Sequence, residues 1–337
     1  MQIGLTTRHL VVCALSLGLL TVAATSPQLL RDQLSEGAAG LADASPGWLW
    51  FAAACFVASL ALSGAAWRAG LRSCGGELGM SDAAATYGVG SLVNSLAPAK
   101  LGTALRVVLY TRSLHGEGRV WTAGGICSAI GAAQTFWLAV LVGVAASAGV
   151  VPLWPLALLA GVLVAAVAAA VIAQRIRPRR RVTHVLDAFR ALGRSPRSTA
   201  ALLGWTGVAT VARVGASAAL LASFGLPRPL VLAVLLLPAI ELAATLPLTP
   251  GNIGVGGAAV AFALHTQGVA TDTALAAGIA LNAVETLSSM AFGVGSVLHL
   301  AGGTTVVRRR LVAATGVTAC TVVAGAFSWT VLVPPLS

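Results

Sequence analysis

Apolar runs long enough to cross a bilayer alternate with short polar or basic stretches along most of this 337-residue chain. A spanning helix needs roughly 17–25 predominantly apolar residues. That length predicts spans over 9–25, 47–67, 121–150, 153–174, 199–224, 273–300 and 311–333. Two further apolar stretches do not fit. Residues 83–97 are short for a full crossing and lead into Lys100 and an amphipathic run to Leu114. Residues 230–257 contain Pro238, Pro247, Pro250, Gly251, Gly254, Gly256 and Gly257, and 257–264 return from them. Proline removes a backbone donor and glycine frees the chain to turn. Broken backbone at membrane depth is tolerated only when packed in protein or lining a cavity. Both stretches therefore predict re-entrant helical hairpins.

The two breaks share a pattern. Leu96, Pro98 and Gly102 recur as Leu248, Pro250 and Gly254, all offset by 152 residues. The same offset carries 121–150 onto 273–302 and 47–67 onto 199–219, so it relates three elements. Paired Pro/Gly interruptions in two halves point to the binding site of a transporter, near the midplane between them. The expected architecture is all-α and polytopic: about seven transmembrane helices plus two re-entrant hairpins in an inverted repeat. It forms a single membrane domain, with an extra first helix (9–25), repeat one (about 47–174), a basic loop (175–197) and repeat two (about 199–333).

Composition fits this picture. The chain is 57% hydrophobic and 9% charged, against about a quarter charged in a soluble domain. A net charge of +11 would suit nucleic acid, but the arginines lie in loops between apolar spans. There they follow the positive-inside rule and meet anionic head groups. Eight arginines in 175–197, the cluster Arg308–Arg310, and Arg68 with Arg72 predict cytoplasmic loops. The N-terminus is then cytoplasmic and the C-terminus extracytoplasmic. Five scattered cysteines predict neither disulfide nor metal site, and no cofactor or catalytic group is expected.

Candidate binding residues are polar groups at the breaks or inside spans. Lys100 and Arg106 flank the first break; they either hold a phosphate or snorkel to the interface. Arg213, Glu241 and Glu285 lie within apolar segments, where a charge costs about 2.5–3.5 kcal/mol and is expected to pair or face a wet cavity. They form either a packing ion pair or a coupling and ligand-contacting group. Asn94, Thr249 and Asn252 satisfy freed backbone or ligand at the breaks, which Pro98, Gly102, Pro247, Pro250, Gly251 and Gly254 create.

Residues Asn94–Arg106 and Leu246–Gly257 resemble the two motifs of the lysylphosphatidylglycerol synthase transmembrane-region family, also described as a flippase-like domain. The first is similar to P-x-R-x-G-E-x-x-R and reads Pro98, Lys100, Gly102, Thr103 and Arg106. The second is similar to P-x-T-P-G-G-x-G-x-x-E and reads Pro247, Thr249, Pro250, Gly251, Asn252, Gly254 and Gly257. The family's acids are thus replaced by Thr103 and Gly257, and an arginine by Lys100. The resemblance implies an inner-membrane protein that moves lipids between leaflets.

The expected function is flippase-like translocation, without enzymatic chemistry, of an anionic phospholipid or a polyprenyl-phosphate-linked lipid. Membrane lipids and envelope-lipid enzymes are the expected partners. A non-transporting scaffold for envelope-lipid synthesis is the alternative. A membrane glycosyltransferase using Asp32, Glu36 or Asp43 is a further one.

Overall fold

A computed structural model describes residues 45–96, 101–147, 149, 161, 188–193, 195–243 and 255–301. The expected spans 9–25 and 311–333 lie outside them, as does 153–174 apart from residue 161. So do most of the basic loop, Arg308–Arg310, and the break residues Pro98, Lys100, Pro247, Thr249, Pro250, Gly251, Asn252 and Gly254.

The described chain is helical throughout. Its principal helices are α1 (Pro46–Ser73), α2 (Met80–Leu96), α3 (Leu101–Tyr110), α4 (Arg119–Ser147), α5 (Pro196–Ser223), α6 (Pro229–Ala243), α7 (Val255–Thr266) and α8 (Thr271–Ala301). Four of them, α1, α4, α5 and α8, are long and apolar enough to cross a membrane. They coincide with four expected spans, running three residues further at the N-terminus of α5 and six further at the C-terminus of α1. Arg68 and Arg72 therefore belong to α1 itself. Arg68 Nε donates to the Leu78 carbonyl at 2.9 Å, fixing the turn that follows.

The remaining four helices are short and come in two pairs. At 1.5 Å per residue the ten residues of α3 rise only about 15 Å, half a hydrocarbon core. The first pair is a hairpin whose ends meet. The Tyr110 hydroxyl, at the close of α3, donates to the Ala83 carbonyl at the start of α2 at 2.8 Å. Tyr110 also stacks on Trp67 near the end of α1, with ring centroids 4.4 Å apart. The chain thus leaves the hairpin at the end where it entered. The second pair, α6 and α7, flanks the second break and is packed together in the same way.

Two expectations need correction. Pro238 does not break its segment: it is buried inside α6, which continues to Ala243. The next helix begins at Val255, and the segment 244–254, which holds Pro247 and Pro250, lies outside the described residues. Gly102 is not a turn residue either, but the second residue of α3. A β-carbon on Gly102 would lie 2.0 Å from the Gly90 carbonyl oxygen and 2.6 Å from the Asn94 nitrogen. Its role is to let two backbones approach, as small residues do where membrane helices meet.

The order long, short, short, long occurs twice. Shifting α4 by 152 residues gives 271–299, against 271–301 for α8; shifting α1 gives 198–225, against 196–223 for α5. The packing repeats too. Exchanging α1 with α5, α2 with α6, α3 with α7 and α4 with α8 turns each principal helix–helix contact into another observed one. The α2–α8 contact becomes α6–α4, and α1–α8 becomes α5–α4. The central α1–α5 contact maps onto itself. That is the signature of two-fold pseudo-symmetric packing. Inversion across the membrane depends on crossings in 148–195, which lie mostly outside the described residues.

Gly102→Ala is expected to destabilise the protein by about 1–3 kcal/mol through overpacking. Gly124→Ala should not, because its β-carbon would meet nothing within 4 Å. Thermal unfolding of both variants in detergent checks this; equal midpoints would refute the close-approach role.

Candidate functional site

Each cavity-facing helix carries polar residues at helical spacing. Ser59 and Ser63 lie on α1; Tyr87, Ser91 and Asn94 on α2; Thr206, Thr210 and Arg213 on α5; Asn282, Glu285 and Ser289 on α8. Steps of three and four residues put each set on one helix face. Together with Gln134 of α4 they line a cavity of about 460 Å³ within the helix assembly. The outward faces stay apolar: Phe136, Val144, Val208, Val211 and Phe262 are exposed. A polar-lined cavity inside an otherwise apolar bundle with an apolar exterior suits a membrane rather than water.

Three of the expected ionisable residues converge. From α5, Arg213 Nη1 donates to Glu241 Oε1 on α6, and Nη2 donates to Glu285 Oε1 on α8 at 2.8 Å. The side chains retain 26%, 35% and 32% exposure, which opens onto the cavity rather than a dry core. One guanidinium thus joins three helices of the second repeat. The residues thus pair, as the first reading has it, and they also line the cavity. Glu241 sits in the last turn of α6, immediately before the second break.

The first repeat supplies a cation of different character. Arg106 of α3 lies with its guanidinium carbon 4.3 Å from the centroid of the Tyr87 ring. A cation over an aromatic face gains about 0.5–2 kcal/mol, depending on desolvation. Among the described residues, no carboxylate pairs with Arg106 and its buried Nε has no hydrogen-bond partner. Arg106 therefore does not snorkel to an interface; it lines the cavity. Gly90 makes this possible, since a β-carbon there would lie 2.1 Å from Arg106 Cγ. Asn94 Nδ2 donates to Thr103 Oγ1 at 3.3 Å, tying α2 to α3, while its buried Oδ1 is unpartnered.

The positions of the expected family acids have structural duties here. Thr103 accepts the Asn94 hydrogen bond and lines the cavity. Gly257 is buried against α8, where a β-carbon would already lie 3.3 Å from the Gly278 carbonyl oxygen. A glutamate there would have to push the two helices apart.

Sequence reading missed Tyr87, Gln134, Asn282 and the serine and threonine stripes. The signal was present: polar residues at i, i+4 and i+7 within spans. The stripe residues Ser63 and Thr210 donate to carbonyls four residues back, which satisfies each hydroxyl and leaves its oxygen free to accept.

Removing the shared cation should be costly. Arg213→Met leaves two carboxylates together and is expected to lose on the order of 3 kcal/mol. Adding Glu241→Gln and Glu285→Gln should restore most of it. Unfolding midpoints in detergent measure both steps, and an unperturbed single variant would show that the ion triad does not hold these helices.

The chain was compared with known proteins. The family model of the lysylphosphatidylglycerol synthase transmembrane region matches residues 10–293. No curated protein matches the chain. With most of its length covered, including both hairpins and the cavity between them, the chain belongs to the lysylphosphatidylglycerol synthase transmembrane-region family.

Proposed function

We propose that this protein translocates an anionic lipid, either a phospholipid or a polyprenyl-phosphate-linked lipid, between leaflets of the cytoplasmic membrane. The head group occupies the polar cavity and the acyl or prenyl chains stay in the surrounding lipid. Membership of the family supports a role in lipid synthesis or translocation. One observation carries the finer reading: Arg106 lines a membrane-embedded cavity with no carboxylate partner and with a buried, unpartnered Nε among the described residues. Leaving such a donor unsatisfied costs about 1–3 kcal/mol or more. A phosphate oxygen would supply the missing acceptor as a charge-assisted bond.

Lys100 would assist from the first break, and Thr249 and Asn252 from the second. The protein performs no covalent chemistry in this reading; it lowers the barrier for a polar group to cross hydrocarbon. The Arg-rich loops set its orientation, with the N-terminus cytoplasmic and the C-terminus outside. Replacement of the family's acids by Thr103 and Gly257 favours a second reading, a non-transporting partner of an envelope-lipid enzyme.

Proteoliposomes containing fluorescent phosphatidylglycerol, with the outer leaflet quenched chemically, separate the two. The wild type should expose inner-leaflet label much faster than protein-free vesicles. Arg106→Ala should slow exchange about tenfold or more, the loss of one hydrogen bond to a charged group. Equal rates in wild type and empty vesicles would favour the scaffold, and an unaffected Arg106→Ala would remove this residue from the pathway. Orientation has its own check: alkaline phosphatase fused after Ser337 should be active, and the same fusion after Arg181 inactive.

A further inference from the structure

The charges in the cavity are divided unequally between the two repeats. Among the described residues, α3 of the first repeat contributes Arg106 without a carboxylate, beside Tyr87 of α2. The second repeat contributes Arg213 with both Glu241 and Glu285. Two carboxylates share one guanidinium there, so the triad has one negative charge left over when all three groups are ionised. Arg106 offsets that charge across the cavity, so an anion that pairs with Arg106 leaves the triad's excess uncompensated; the remaining helices bring no charge among the described residues. Cys127 is the titratable group that α4 adds; α1 and α7 line the cavity with neutral residues. Asp82 and His299 pair with each other at 3.2 Å away from the cavity lining.

An anionic head group that reaches Arg106 must share this space with an excess carboxylate. It also finds the inner edge of Arg213 occupied, because Nη1 and Nη2 are each donated to a glutamate. Protonating one carboxylate would remove both obstacles. The triad becomes neutral, and the protonated acid ceases to hold its Nη group, which can turn to a phosphate oxygen. Because the two glutamates act on one cation, the proton belongs to the pair rather than to either residue.

We propose that the Arg213–Glu241–Glu285 triad couples head-group binding to the uptake of one proton, so that an anionic phosphodiester and a proton occupy the cavity together. The proton comes from water on the side the lipid enters and forms an O–H bond on a carboxylate oxygen; it leaves when the head group leaves. The sign follows from linkage: the complex holds one more proton than its free components, so affinity rises as pH falls. A singly charged lipid with one proton is electrically neutral. Its movement would respond to a pH gradient and not to membrane potential. This inference rests on the anion-binding part of the proposed function, but does not require translocation.

Calorimetric titration of the purified full chain in detergent, in two buffers of different ionisation enthalpy, tests it. The probe is short-chain phosphatidylglycerol, with inorganic phosphate as a second arm. The expected result is about one proton taken up per lipid bound, with affinity falling by up to about tenfold per pH unit where the linkage operates. Glu241→Gln and Glu285→Gln should each bind without proton uptake and lose the pH dependence; two variants guard against one failing to fold.

Binding by the wild type without proton uptake overturns the inference and leaves the translocator reading intact. Proton-linked binding with no lipid movement in vesicles upholds the inference and overturns translocation. If inorganic phosphate alone binds, with a proton uptake that both glutamine variants abolish, the coupling stands and the lipid ligand does not; uptake that persists in the variants belongs to the phosphate and overturns the coupling. No binding of either probe overturns both.

Discussion

A guanidinium inside a bilayer must be held by something, and Arg213 is held by two carboxylates from two other helices. Much of the second repeat is arranged around that requirement. Helices α5, α6 and α8 have to converge so that Glu241 and Glu285 reach the same cation. Convergence of polar faces leaves room for water, and the cavity follows. The bare cost of each charge at membrane depth, about 2.5–3.5 kcal/mol on insertion scales, is offset only by this pairing and by access to the cavity. The ion triad and the cavity are therefore one structural device. Neither would be stable alone.

The repeat gives this device its frame. Helix packing is the same in both halves, down to which helices touch across the centre. The chemistry is not. Counting back 152 residues from Arg213, Glu241 and Glu285 arrives at Ala61, Val89 and Ala133, and counting forward from Arg106 arrives at Ala258. A symmetric backbone thus carries an asymmetric set of charges. Symmetry serves the packing, in which glycine at close approaches lets the hairpin at α2–α3 and the crossing of α7 with α8 form. Asymmetry gives the cavity one end with a cation that no carboxylate pairs among the described residues and another with a cation shared by two carboxylates.

The long helices and the two pairs of short ones were legible from hydropathy and length because membrane depth imposes them directly. Arg213, Glu241 and Glu285 were legible as costly groups for the same reason, and Arg106 as a cation flanking the first break. Their partners were not. Nothing local in the sequence says that Arg213 bridges both glutamates rather than one, since that depends on helix rotation and tilt. The role of Gly102 was misread because a break and a close approach leave the same residue in the sequence. Pro238 misled for a related reason. Packing of α6 holds the helix together past a missing donor, so one proline in an apolar run does not by itself signal a break.

The replaced acids of the family motifs take on meaning in this frame. At Thr103 the side chain is committed to Asn94, and at Gly257 to the backbone of α8. Neither position needs a charge for the fold to close. The carboxylates in this cavity instead stand on α6 and α8, where both reach Arg213. A carboxylate on a packed helix is oriented by its neighbours. Placing the acids on α6 and α8 fixes the distance between them and Arg213, and so keeps two negative groups on one cation. A charge balance of that kind can be shifted by a proton without rearranging the backbone, which is what a site built on rigid helices requires of any switch it contains.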